Sequence, residues 1–193
     1  MTLIIGGSGS GKSAYAESLL AEAKVAGAKY YLATMDAQDA ESRQRISRHR
    51  ALRADKGFRT WECPRGLGAA VAAKAEELMG CGVLLECMSN LVANEMFDDA
   101  WVAHSSEKAR GRSALARAVS DRVVRDVMLL SQACGELFVV TNNVFEDGVN
   151  YGETTRAYLD ALARVNRELA RQSARVVEVV VGIPVRIKEE SCR

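Results

Sequence analysis

Apolar positions along this chain follow two alternating patterns. Unbroken runs, TLII, KYYLAT, VLLE, LFVVT and VVEVVV, read as strands buried on both faces, and between them apolar residues recur at helical spacing. The order begins with TLII, a helix from 12 to about 26, KYYLAT with its polar switch at Thr34, a helix over about 39–53 and a short FRTWE strand. It continues with a helix through GLGAAVAAKAEELMG, the strand VLLE ending at Glu86, a long helix closing near 134 and LFVVT. A helix over about 153–173, VVEVVV and, after Gly182, a last short strand PVRIK complete it. Strands alternating with helices predict an α/β fold with a mostly parallel sheet covered on both faces. Two polar stretches interrupt the pattern: FDDAWVAHSSEKARGR at 97–112, read as a long connection or flap, and the loop NNVFEDGVNYG. The longest apolar candidate, VVEVVVGIPV, is broken by Glu178 and Pro184, far short of the roughly 18 residues needed to span a bilayer.

With 193 residues and 48% hydrophobic content, the expected organisation is one domain over 1–193. Lys and Arg number 26 against 25 Asp and Glu, a net charge of +1 that offers no global attraction for nucleic acid or an anionic membrane. Any anion site must therefore be local. The 5 cysteines are odd in number and lack metal-ligand spacing, and no signal peptide precedes the first strand, so a reduced, cytoplasmic protein is expected.

The local anion site stands directly after the first strand. Gly6, Gly7, Ser8, Gly9, Ser10, Gly11, Lys12 and Ser13 fit GxxxxGK[ST], in which glycines let consecutive N–H groups turn inward around phosphate oxygens at a helix N-terminus. Lys12 would reach the outer phosphates and the Ser13 hydroxyl would ligate Mg²⁺. A flexible glycine turn is the plain alternative, and the strand before and helix after argue against it. Such a loop also needs a carboxylate at the end of a neighbouring strand, and Glu86 is the candidate, with a carboxylate favoured by the dipole of the following helix as the alternative. Asp36 is a second acid expected on the same sheet edge. His49 lies among Arg45, Arg48, Arg50 and Arg53, where surrounding positive charge keeps an imidazole neutral and nucleophilic while guanidiniums bind phosphate. On residues alone, a solvated basic helix is the preferred reading of this run, since charge runs usually face water. His104 has no comparable setting and reads as surface.

Five segments in order, IIGGSGSGKSAYAESL, YLATMD, RISRHR, VLLECMSNLVANEMF, and FVVTNNVFEDGVN followed by RVNRELA, resemble the bifunctional adenosylcobinamide kinase and adenosylcobinamide-phosphate guanylyltransferase of cobalamin biosynthesis. The resemblance runs from the first strand to the last. It implies a RecA-like P-loop fold, ATP or GTP with Mg²⁺ on the Gly6–Ser13 loop, phosphorylation of adenosylcobinamide, and transfer of GMP from GTP through a guanylyl group on His49. It implies Arg45, Arg48, Arg50 and Glu86 as nucleotide-binding residues, Ser13 and Glu86 toward metal, and homo-oligomers, trimers among them. Two departures fall in the polar loop: Asn142-Asn143-Val144-Phe145 stands where the family often has TNEVG, and Asn150-Tyr151 where a proline is usual. A P-loop kinase without nucleotidyl transfer, and a nucleotide-dependent regulatory module, are the competing readings.

Overall fold

The structure, a computed structural model, describes residues 1–36, 56–98, 111–144 and 149–190. The helix expected over about 39–53, with Arg45, Arg48, His49, Arg50 and Arg53, lies outside the described residues, as do His104 and Phe145.

The strands are β1 (Thr2–Gly6), β2 (Lys29–Ala33), β3 (Arg59–Glu62), β4 (Gly82–Glu86), β5 (Glu136–Asn142), β6 (Arg175–Val180) and β7 (Ile183–Glu189). They form one seven-stranded sheet of order β3-β2-β4-β5-β1-β6-β7. All neighbouring pairs are parallel except β6 with β7, which is antiparallel. The mostly parallel α/β sheet read from the apolar runs is thus the observed one. Pro184, which cannot donate to a ladder, sits in β7 on the sheet edge, where that loss is tolerated.

Strand residues alternate between two cores. Leu3, Leu32, Val83, Leu85, Leu137 and Val139 point to one face; Ile4, Tyr31, Leu84, Phe138 and Val140 point to the other. The first face is covered by α2 (Leu67–Ala73), α3 (Ala75–Leu78), α4 (Met88–Met96), α5 (Arg112–Ala133) and α6 (Glu153–Gln172), the second by α1 (Lys12–Glu22). α6 buries Ala157, Ala161, Leu162, Val165 and Leu169, an apolar stripe at helical spacing that packs it against α5 and α4 in the shared core. No helix among the described residues is long and apolar enough to cross a membrane.

Two helices differ from their periodicity. α1 stops at Glu22 instead of continuing to about 26, because Ala23 turns extended and the chain must carry Gly27 past the β4 entrance. There Gly27 N–H donates to Gly80 C=O at 2.9 Å, and a Cβ on Gly27 would stand 2.6 Å from Cys81 Sγ. The single helix expected through GLGAAVAAKAEELMG divides at Lys74, whose φ of −118° leaves the helical range.

Candidate active site

β1 ends at Gly6, and the next residues wind into the N-terminus of α1 through Gly9 and Gly11, with φ of 72° and 89°. Only glycine adopts these angles without strain. Gly6 is required for a different reason: a Cβ there would lie 2.5 Å from Ser10 Oγ and 2.6 Å from the Val179 carbonyl oxygen. At Gly7 and Gly9 a Cβ would meet nothing within 4 Å, so the loop is packed at its base and open along its rim. Lys12 bends back over the loop and donates from Nζ to Gly7 C=O at 3.1 Å. Ser10 Oγ is buried without a hydrogen-bond partner among the described residues, a hydroxyl the protein leaves unused inside the loop.

Opposite the loop, β4 delivers Glu86, with β5 interposed between β4 and β1. The Glu86 carboxylate is held from two directions. Ser13 Oγ, in the first turn of α1, donates to Glu86 Oε1, and Tyr31 Oη donates to Oε2 at 2.7 Å. Both partners of the Glu86 carboxylate lie on the loop side, and among the described residues no side-chain hydrogen bond caps the N-terminus of α4. Tyr31 is 3% exposed, with its ring in the α1-side core and its hydroxyl at the carboxylate.

The strand ends around Glu86 are tied together by short polar links. Thr34 N–H donates to Glu86 C=O at 3.0 Å, and Thr34 Oγ1 both donates to Cys87 C=O and accepts from Cys87 N–H at 2.8 Å. On the neighbouring strand Asn142 Nδ2 donates to Ser89 Oγ at 2.6 Å, while its own carbonyl accepts from Asn166 Nδ2 at 3.3 Å. Tyr158 donates to Ser89 C=O at 3.2 Å, and burial pushes its hydroxyl up to about 12, so it stays a neutral donor. Asn143, the position where the family often carries glutamate, donates its N–H to Gly6 C=O at 3.0 Å and so stands beside the phosphate loop.

Of the residues singled out in the sequence, the structure brings Lys12, Ser13 and Glu86 together with the glycine loop. Asp36 reaches the same sheet edge but forms an ion pair with Arg65 at 2.6 Å. Tyr31 and Asn142 escape a reading of the sequence as site residues. A tyrosine inside KYYLAT scores as core, and the only signal for it is the two-residue alternation that puts Tyr31 on the face opposite Tyr30.

Among the described residues no group of three His, Cys, Asp or Glu side chains assembles as a metal cage. One hydroxyl and one carboxylate in contact, beside an open phosphate loop, match the donor set of Mg²⁺, which keeps most of its shell as water and substrate phosphate oxygens.

The family model for cobinamide kinase / cobinamide phosphate guanyltransferase matches residues 2–187. The chain is 32% identical over 188 residues to the bifunctional adenosylcobalamin biosynthesis protein CobU of Salmonella typhimurium, covering 97% of this chain and 99% of that protein. It is also 32% identical to the bifunctional adenosylcobalamin biosynthesis protein CobP of Pseudomonas aeruginosa, with 97% of each chain covered. With the CobU of Escherichia coli the identity is 31%, over 97% of this chain and 99% of the other.

Proposed function

Because the chain belongs to the cobinamide kinase / cobinamide phosphate guanyltransferase family, we propose that it phosphorylates adenosylcobinamide with ATP or GTP and then transfers GMP from GTP to the product, giving adenosylcobinamide-GDP. The observation that carries this reading in the molecule is the Lys12 loop facing a carboxylate held by Ser13 and Tyr31. In the first reaction the acceptor hydroxyl attacks the γ-phosphorus, the β–γ bridging bond breaks, the nucleoside diphosphate leaves and the hydroxyl proton passes to solvent. Backbone N–H groups of residues 7–13 hold the phosphate chain in line, and Lys12, released from Gly7 C=O, neutralises charge on the transferred group. Ser13 and Glu86 would hold Mg²⁺, which supplies charge neutralisation at the outer phosphates when bound. The open rim at Gly7 and Gly9 and the unused Ser10 hydroxyl support phosphate at this place.

In the second reaction His49 attacks the α-phosphorus of GTP, the α–β bridging bond breaks and pyrophosphate leaves, and the imidazole carries GMP. A phosphate oxygen of the corrinoid substrate then attacks the same phosphorus and displaces the imidazole. Arg45, Arg48 and Arg50 bind the triphosphate in this reading. It rests on the family resemblance of RISRHR and on the neutral state that neighbouring guanidiniums favour. The active form is a homo-oligomer, with a trimer as the family expectation. Purified protein incubated with Mg²⁺ and α-labelled GTP, then denatured and digested, tests the proposal. Label on the peptide containing His49, discharged by adenosylcobinamide phosphate, is the expected result; label on Lys12 or a serine, or none, contradicts the histidine route.

A further inference from the structure

The ladders that hold β2 end at Ala33, which pairs with Glu62 on one side and Glu86 on the other. Just past them, the chain leaving β2 is tied to α4 and to the chain leaving β3. Asn94, in the last turn of α4, donates from Nδ2 to Thr34 C=O at 2.8 Å and to Pro64 C=O at 2.9 Å, so one amide joins the two exits. Arg65, the residue after Pro64, spans the same gap: its Nε donates to Asn94 C=O at 3.3 Å, and its Nη1 pairs with Asp36 Oδ2 at 2.6 Å. Thr34, Asn94, Arg65 and Asp36 thus form a closed circuit around two residues of backbone.

Stability is a poor account of this circuit. The Arg65 and Asp36 side chains are 32% and 23% exposed, and an ion pair that water reaches adds little to folding. Position is what it supplies, because a planar guanidinium donating from Nε and Nη1 fixes two acceptors relative to each other. Asp36 is the last described residue before the stretch 37–55, which carries His49 in the chain. We propose that Arg65 and Asp36, braced by Asn94, are positioning residues for guanylyl transfer: they fix the backbone at Asp36, and with it the point from which the stretch bearing the nucleophile departs. The proposal rests on the guanylyl-histidine reading above. In that route the imidazole nitrogen must meet the α-phosphorus in line, and misplacing a reacting group by about 1 Å can cost about a hundredfold. Transfer of the γ-phosphoryl group draws on Lys12, Ser13 and Glu86, whose bonds to Gly7, to each other and to Tyr31 do not involve Arg65.

The experiment compares the full-length wild type with Arg65→Met, Arg65→Lys and Asp36→Asn. Each protein is assayed for single-turnover phosphorylation of adenosylcobinamide from γ-labelled ATP and for covalent labelling by saturating α-labelled GTP in Mg²⁺ buffer, with the labelled peptide mapped and a thermal melt run alongside. Arg65→Met keeps the length of the side chain and removes its charge and donors, so labelling should slow about tenfold or more while phosphorylation stays within about twofold of wild type. Its melting temperature should be close to that of wild type. Arg65→Lys retains a cation for Asp36 and loses the planar fork, and Asp36→Asn retains an acceptor and loses the charge, so both should fall between wild type and Arg65→Met in labelling. Unchanged labelling in Arg65→Met and Asp36→Asn overturns the proposal. So does an equal fall of both rates together with the melting temperature, which would make the circuit a staple for the edge strand β3. A wild type that takes no label on the peptide containing His49 contradicts the guanylyl-histidine reading itself, and this proposal with it.

Discussion

Tyr31 Oη and Glu86 Oε2 are hydrogen-bonded at 2.7 Å across 55 residues of sequence, and the other oxygen of the same carboxylate accepts from Ser13. Two hydroxyls from different elements thus fix one carboxylate at the mouth of the phosphate loop. In the proposed reaction Ser13 would turn to Mg²⁺, and Tyr31 would then be the group that keeps Glu86 aimed, a positioning residue acting through Glu86.

Tyr31→Phe therefore keeps the buried ring and removes the tether. Losing one hydrogen bond to a charged group is worth about 1.5–3 kcal/mol, so the apparent Mg²⁺ affinity of the nucleotide complex should fall about tenfold or more. Titrating Mg²⁺ against nucleotide binding by calorimetry reads this directly. A Mg²⁺ titration identical to wild type would reduce Tyr31 to a core residue.

Gly6 and Gly7 are adjacent in sequence and opposite in demand. Gly6→Ala drives a methyl group into Ser10 Oγ and the Val179 carbonyl, at 2.5 and 2.6 Å, and should destabilise by about 1–3 kcal/mol. Gly7→Ala meets nothing within 4 Å, and its cost should stay near 0.5 kcal/mol. Denaturant melts of the two proteins without nucleotide separate packing at the loop base from openness at its rim.

Away from the site, Glu95 is 2% exposed and accepts from Gly66 N–H at 2.7 Å, with Arg122 Nη1 3.2 Å from its other oxygen. Glu95→Ala removes the acceptor from the start of α2 and a charge partner from Arg122. The side chain of Arg122 is 25% exposed and can hydrate, so the loss should sit near the low end of the buried-pair range, about 3 kcal/mol. Glu95→Gln, which still accepts from Gly66, should cost less. Equal melts for the two variants would show that the charge, and not the helix-start hydrogen bond, is what matters.

Much of this architecture is legible in the sequence because it is written locally. TLII, VLLE and LFVVT are strands buried on both faces, and each reads as an unbroken apolar run; the glycine loop and Lys12 are contiguous; Glu86 stands where such a run meets polar residues. The Tyr31–Glu86 bond and the Gly182–Ser10 bond depend on sheet order, which periodicity does not encode. β2 must lie beside β4, and β6 beside β1, before either pair can meet. The division of α2 from α3 at Lys74 leaves no Gly or Pro in KAEEL to announce it. Val181 is misleading in the other direction: as the last residue of VVEVVV it reads as strand, while the chain has already entered a left-handed turn.

Among the described residues Lys12 donates only to its own loop, at Gly7 C=O, so Lys12→Ala should alter stability by no more than about 1 kcal/mol. Phosphoryl transfer should fall at least about a hundredfold, because the lysine stabilises charge on the transferred group and no neighbouring side chain on the loop can replace it. Single-turnover transfer from γ-labelled ATP to adenosylcobinamide checks this. A melting temperature that collapses with the activity would mean that Lys12 holds the loop together and is not chiefly a phosphate ligand.

His49→Ala should separate the two reactions. The γ-phosphoryl group passes directly to the acceptor hydroxyl and needs no protein nucleophile, so phosphorylation of adenosylcobinamide should remain within about threefold of wild type. On the proposed route the imidazole carries GMP, so both covalent label from α-labelled GTP and formation of adenosylcobinamide-GDP should disappear. In the wild type the labelled bond should be labile in acid and stable in base, as a phosphoramidate is, the reverse of an ester on serine. Added imidazole, small enough to occupy the space the side chain vacates, should restore part of the second activity and none of the protein-bound label. If kinase and label fall together in His49→Ala, the histidine is a triphosphate ligand shared by both reactions and the GMP must travel by another residue.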